Sequence, residues 1–298
     1  MPFPAATGTG LTWQAATVVR VLAPGDDVLE LLAARARKAL VRRPAAAATR
    51  MVPIPGGSMV LTADFPLSHE HNKALITELA EPAAILDAAE RVANEAGLGH
   101  VRVDALAGAR ARELAELGAA RGYQHSRELV MVLPANAAAA LTAAPPHPQV
   151  REVPWDRVRA SVHRTWQASL PEAPPVVWSQ LTQRHEATAR GADVRHLAAI
   201  AEPDAGKEAE VLARAELYLT RDAHGLVAQV ESVDTEPHAR RRGLARAVVT
   251  AAVALAHRAG ASATFLVADA DDWPREFYAR MGFVSRGTTV VLARSLSR

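Results

Sequence analysis

"TEPHARRRGLARAV", residues 235–248, sets three consecutive arginines against a glycine and then a run of small and apolar residues. Before it, Val230, Ser232 and Asp234 alternate with Glu231, Val233 and Thr235, the two faces of a pleated strand. After it, an apolar period over 244–259 predicts a helix ended by Gly260. A strand, a short loop and a helix start leave several main-chain N–H groups unpaired, and with the positive end of the helix dipole they form an anion site. Gly243 lets a ligand approach the backbone, Ala245 and Ala247 keep the first turn uncluttered, and Arg240, Arg241 and Arg242 bound the site from outside. The anion this suits is a pyrophosphate. The bland alternative is a tight turn with solvated arginines, the usual fate of a charge run.

Outward from this stretch the chain repeats itself. Residues 134–149, "PANAAAALTAAPPHPQ", lack a hydrophobic period and end in prolines, which reads as a linker. Ahead of it stand a helix over 84–96 ended by Gly97, the strand "HVRVD" (100–104), a helix over 109–121, the pair Gly122-Tyr123 and the strand "RELVMVL" (127–133). Behind it the order recurs as helix 244–259, Gly260, "TFLVA" (264–268), helix 273–281, Gly282-Phe283 and "TTVVLA" (288–293). Two similar domains, 1–140 and 148–298, follow from this duplication. The second also contains "VREV" (150–153), helices near 157–168 and 176–189, and three strands, "RHLAAIA", "EVLARAELYL" and "LVAQVESVD". "EPDAGKE" (202–208) and "TRDAHG" (220–225) read as the hairpin turns between those strands. Hairpins make that region antiparallel and the later strand-helix-strand run needs a crossover, so the expected class is α/β (α+β), with mixed, mostly antiparallel sheets flanked by helices.

Composition narrows the chemistry. Of 298 residues, 49% are hydrophobic and 22% charged, the balance of a folded chain with a core. A formal net charge of +2 lacks the excess that drives non-specific nucleic-acid binding, and no basic-aromatic stripe is present. Residues 1–10 show no signal-peptide pattern and no run reaches the ~18 apolar residues of a membrane span, so a cytoplasmic protein is expected. The absence of cysteine removes thiolate nucleophiles and sulfur-ligated zinc. His69 and His71, two residues apart, read as a loop or a solvated strand face and not as metal ligands, so no metal is expected.

Arg240-Arg241-Arg242-Gly243-Leu244-Ala245 matches in full the signature Gln/Arg-x-x-Gly-x-Gly/Ala of the GNAT superfamily of N-acetyltransferases, and "EFYARMGF" (276–283) resembles that family's Tyr-x-x-x-Gly-Phe. The resemblance covers residues 150–295 and implies two tandem GNAT-like domains. Acetyl-CoA would be the co-substrate, its pyrophosphate on residues 240–245 and its pantetheine arm on the main chain of Val233 and Thr235. The Val233 N–H would serve as oxyanion donor. Tyr278 is implied as the general acid for the departing thiolate. Glu231, two residues before Val233, is the candidate base, with Glu216 and Asp234 as competitors.

Asp271 and Asp272 look like caps for the helix that starts at Trp273-Pro274, where many family members carry asparagine. Trp166, Trp178 and His185 lie on the helices that flank the acceptor cleft in this family. The first domain has glycine, Gly118, at the position equivalent to Tyr278, and "ELAEPAAIL" (78–86) in place of the arginine-glycine loop. It therefore resembles a degenerate copy without the acid or the phosphate cradle. The reading is an acetyltransferase acting on the amine of a small molecule. Its rivals are a non-catalytic acyl-CoA-binding or regulatory module and an acetyltransferase similar to mycothiol synthase; the acceptor and the oligomeric state stay open.

Overall fold

The computed structural model describes residues 26–106, 110–201 and 209–296. The expected turn at 202–208 and the expected absence of a signal peptide at 1–10 lie outside those residues. In chain order the elements are α1 (Asp26–Ala47), β1 (Arg50–Ile54), β2 (Gly57–Leu61), β3 (Lys73–Ile76), α2 (Pro82–Glu95), β4 (His100–Ala105), α3 (Ala111–Ala120) and β5 (Gln124–Val132). Then follow α4 (Ala135–Thr142), β6 (Val150–Val153), α5 (Trp155–Ser169), α6 (Pro175–Gln183), α7 (His185–Gly191), β7 (Asp193–Ile200) and β8 (Val211–Asp222). The chain closes with β9 (Gly225–Thr235), α8 (Leu244–Arg258), β10 (Ala261–Asp269), α9 (Pro274–Arg280) and β11 (Val284–Ser295).

Among the described residues, eleven strands form one sheet in the order β1-β2-β3-β4-β11-β5-β10-β9-β8-β7-β6. Neighbours are antiparallel except β3/β4 and β9/β10, which occupy equivalent places in the two segments. The last strand of each segment crosses to the other: β5 sits between β11 and β10, and β11 between β4 and β5. Each segment thus completes its sheet with a strand of the other.

Alternation along the strands separates two faces. Met131, Ala228, Val230, Leu266 and Ala268 pack with Val249, Ala252 and Val253 of α8, and Val103 and Leu292 lie on that same face under α2 and α3. Val130, Val132, Val227 and Phe265 point the other way, against Ala33, Ala36 and Ala39 of α1. Around this second face α5, α6 and α7 complete the cover, and here the strands carry charged side chains.

Three local readings differ from the sequence expectation. The alanine half of 134–149 is a helix, α4, because Ala137, Ala138 and Leu141 find an apolar partner in the α8 cluster, a tertiary effect no local period shows. The helix expected over 176–189 divides at Arg184 into α6 and α7. His71 is 3% exposed, its ring nitrogens meeting Ser68 and Thr188, and is not a solvated side chain.

Candidate active site

The opening between β9 and β10 starts from a backbone irregularity. The two strands pair from Ala261/Leu226 to Leu266/Val230 and no further. Next along β9, Ser232 takes φ 51°, and Ser232 and Val233 together oppose Ala215 of β8, which is a β-bulge. This breaks the strict alternation read from the sequence and turns residues 231–235 away from β10, whose Val267–Asp269 stretch stays bonded to β5. Two facing strand edges are left without each other.

Side chains hold the kink in place. Arg214 donates to the Ser232 carbonyl at 3.1 Å and to the Thr165 hydroxyl at 2.9 Å, and Thr165 donates to Asp234 at 2.6 Å. Asp234, a competitor for the base, is thereby occupied with structure. The Thr235 hydroxyl is buried without a partner, while the Thr235 N–H bonds Asp234 at 2.8 Å.

Beyond Thr235, a single 3-10 turn (Pro237–Ala239) leads to the arginines. Gly243 has φ 78° and open space where a Cβ would stand, the left-handed position that glycine fills without steric cost. The first helical bond runs from the Ala247 N–H to the Gly243 carbonyl at 3.0 Å, so the N–H groups of Leu244, Ala245 and Arg246 have no helical acceptor. Arg240, Arg241 and Arg242 are exposed around them, with Arg240 Nε on the Thr235 carbonyl at 3.2 Å. The structure thus brings all eight residues read as a phosphate and pantetheine site to one end of the β9/β10 opening.

The matching place in the first segment is closed. β3 and β4 stay paired to their ends, with the Leu106 N–H donating to the Ile76 carbonyl at 2.9 Å. Thr77 and Glu78 spend their N–H groups on the Gly56 carbonyl, and Glu81, paired with Arg110, puts a carboxylate at the start of α2. Gly118 lies against Leu292, whose Cδ1 would be 3.0 Å from an added Cβ. Its missing side chain serves packing.

On the face under α1 and α5, the opening leads into a cavity of about 950 Å³ lined by both segments. Ser232, Val233 and Asp234 edge it from β9, Ala268 and Asp269 from β10, and Glu231 and Glu216 project into it. Burial pushes the Glu231 carboxyl above its ordinary range against the opposing pull of Arg43. Tyr278 packs half-buried against Phe277 and Phe283 and does not line the cavity. Burial first, and the Glu231 charge second, push its phenol up to about 12. The two side chains are within electrostatic reach of one another.

Of the acceptor-side aromatics, Trp166 lines the cavity beneath the Arg184 guanidinium (4.7 Å) and His185 lines it stacked on Trp155 (4.1 Å). Trp178 instead bonds the Leu170 carbonyl at 2.8 Å and belongs to the helix packing. Asp272 accepts from the Trp273 N–H at 2.7 Å at the start of α9, and Asp271 pairs with Arg127.

The far wall was not read from the sequence. Lys73 bridges Glu70 and Asp104 at 2.9 and 2.7 Å, Arg102 forks onto Asp104, and Arg43 reaches Glu70 from α1. Burial would raise Glu70, but Lys73, Arg102 and Arg43 hold it well below the usual carboxylate range. Glu128, on the exchanged strand β5, is pushed up to about 7 by burial, with Arg102 opposing. The legible signal was "HVRVD", in which His100, Arg102 and Asp104 alternate with valines: a central strand with one charged face borders a polar cavity. Among the described residues no group of three His, Cys, Asp or Glu is arranged to hold a metal ion, and no helix is long and apolar enough to cross a membrane.

A search of curated proteins finds no significant match. Among solved structures, a conserved protein of unknown function from Staphylococcus epidermidis superposes with a TM-score of 0.66 at 14% identity, over 84% of this chain and 95% of its own. A GCN5-related N-acetyltransferase from Kribbella flavida gives 0.56 at 17% identity, over 90% and 96%. A tandem GNAT protein from the clavulanic acid biosynthesis pathway gives 0.54 at 14%, over 82% and 80%. At these identities the likeness is one of fold, and it extends across both segments. The family model described as "Acetyltransferase (GNAT) family" matches residues 155–283, the segment that holds the bulge, the arginine-glycine loop and Tyr278, and over that segment the chain is similar to the GNAT acetyltransferases.

Proposed function

We propose that the chain transfers an acetyl group from acetyl-CoA to an amine of a small molecule, in the cytoplasm, using the second segment (148–298) for chemistry and the first (1–140) as a non-catalytic wall of the acceptor cavity. The observation that carries this is the strand opening at Ser232, which joins the anion-binding loop on one side to the enclosed cavity on the other. Pyrophosphate would sit on the N–H groups of residues 243–246 within the rim of Arg240, Arg241 and Arg242, and pantetheine on the free edge at Val233 and Thr235.

The chemistry then follows from placement. The amine nitrogen attacks the thioester carbonyl, whose oxygen takes the Val233 N–H as donor. The new C–N bond forms, the C–S bond breaks, and the nitrogen proton passes to Glu231. A carboxyl raised by burial is a better base than a solvated one. The departing sulfur meets the Tyr278 phenol, which at a pKa of about 12 stays protonated through the neutral range. Proton donation from it to a thiolate is uphill, so Tyr278 first stabilises the sulfur by a charge-assisted hydrogen bond and regains any donated proton from solvent.

Thiol release from acetyl-CoA with an amine panel, read together with the gain of one acetyl group on the acceptor, tests this reading. Tight acetyl-CoA binding with no acetylated product from any amine would favour the acyl-CoA-binding module.

A further inference from the structure

His196, Glu216 and Glu231 stand in one row across three strands. His196 is the register partner of Glu216 on β7/β8, and Glu216 that of Glu231 on β8/β9. Direct cross-strand partners have Cβ atoms about 4.5–5.5 Å apart. One strand from the proposed base there is therefore a second carboxylate on the same face, fixed by the Tyr218 hydroxyl.

This second carboxylate has unusual company. His196 is 4% exposed, and its Nδ1, 3.9 Å from a Glu216 oxygen, has no hydrogen-bond partner. The His185 ring lies 4.9 Å from the His196 ring, and its Nδ1 is also buried without a partner. Burial lowers the pKa of both imidazoles, with the Glu216 charge opposing, so at neutral pH each is uncharged and can present a ring nitrogen as an acceptor. Trp155, stacked on His185, closes the group with an aromatic face. Glu216 and His185 line the cavity and His196 stands behind them, so a carboxylate and an orphaned imidazole nitrogen, backed by a second imidazole, meet a primary ammonium with three donors.

The charges around the cavity point the same way. Arg43, Lys73 and Arg102 are matched by Glu70, Asp104 and Glu128, and Arg214 by Asp234. Among the described residues, Arg184 is then the one lining cation without a carboxylate partner, against Glu216, Glu231 and Asp269, which have no arginine or lysine within ion-pair distance. The surplus is negative and lies at the reacting end.

We propose that Glu216, His196 and His185 form an ammonium subsite and that the acceptor is a short diamine: one amino group is acetylated beside Glu231 while the second stays protonated in the subsite. This rests on the acetyltransferase reading above and adds the substrate class to it. The strand spacing matches amino groups separated by about three or four carbons.

The test is calorimetric titration of the full chain, saturated with CoA, with 1,3-diaminopropane, propylamine and 3-aminopropanoate, followed by acetyl-CoA turnover with each. The diamine is expected to bind about tenfold tighter than propylamine or better, since a second charge-assisted contact separates them, and 3-aminopropanoate is expected to bind worst. Glu216→Gln should erase the preference of the diamine over propylamine. Should that variant fail to fold, His185→Gln, at the half-exposed start of α7, should reduce the preference in the same direction. Equal or weaker binding of the diamine, absence of binding included, overturns the proposal. Failure of CoA itself to bind in the same cell would instead overturn the acetyltransferase reading.

Discussion

The guanidinium of Arg214 donates to the main-chain carbonyl of Ser232 across 3.1 Å, so a side chain on β8 holds the kink of its neighbour β9. The same group reaches Thr165 of α5 and, at 3.5 Å, Asp234. A single ammonium cannot reproduce that fork. Arg214→Lys is expected to cost about 1–3 kcal/mol of stability through the unmet partners and to weaken acetyl-CoA binding through the loosened bulge. Urea unfolding and calorimetry check the two effects; unchanged CoA affinity with reduced stability would detach the bulge from ligand binding.

Gly243→Asp should abolish acetyl-CoA binding, whereas Arg241→Ala should weaken it by a much smaller factor. An aspartate there finds no clash, since nothing lies within 4 Å of the added Cβ. It does bring a strained left-handed φ, worth about 1–2 kcal/mol, and a negative charge in front of the helix donors. Arg241 is exposed and already left-handed at φ 62°, so alanine removes only a screened charge and leaves the strain. Near-native CoA affinity in a folded Gly243→Asp protein would move the phosphate site elsewhere.

Tyr278→Phe keeps the ring that packs on Phe277 and Phe283 and deletes the hydroxyl. Acetyl-CoA affinity should persist while the single-turnover rate falls by about 10²–10⁴-fold. A wild-type single-turnover rate would take Tyr278 out of the reaction.

Acid should destabilise the fold early. Burial holds His71 neutral, with its pKa down at about 3 against an ordinary 6.5. Between those values the unfolded chain binds the proton and the folded chain does not, so the contribution of this histidine is full above pH 6.5 and is lost as pH falls toward 3. At pH 5 the loss is about 2 kcal/mol. Urea unfolding of the wild type and of His71→Gln at pH 7 and pH 5 should show a smaller drop in the variant. Equal drops would mean that His71 takes up its proton in the folded state.

Much of this was legible in the residues. Most strands and helices from α2 onward, α4 and the α6/α7 break excepted, were set by period and turn residues, and the arginine-glycine loop by its spacing. Three features depended on distant partners and were not legible. Ser232 looks like an ordinary strand position, and only Ala215 facing two residues at once reveals the bulge. The alanines of 135–142 carry no amphipathic signal until α8 lies beneath them. Gly118 could be recognised as the counterpart of Tyr278, yet its reason, Leu292, comes from the other segment.

The exchange of β5 and β11 has a biosynthetic consequence. Val290 pairs with Ala105, so β4 waits for a strand made long after it. Until β11 leaves the ribosome, the first segment offers unpaired strand edges at β4 and β5, the kind of surface that invites mispairing and chaperone capture. Loop closure over such a separation also makes the last docking step slow. Loss of β11 would leave both segments open along the middle of the sheet, and a nascent chain that stalls before β11 would lack the strand that joins the two segments.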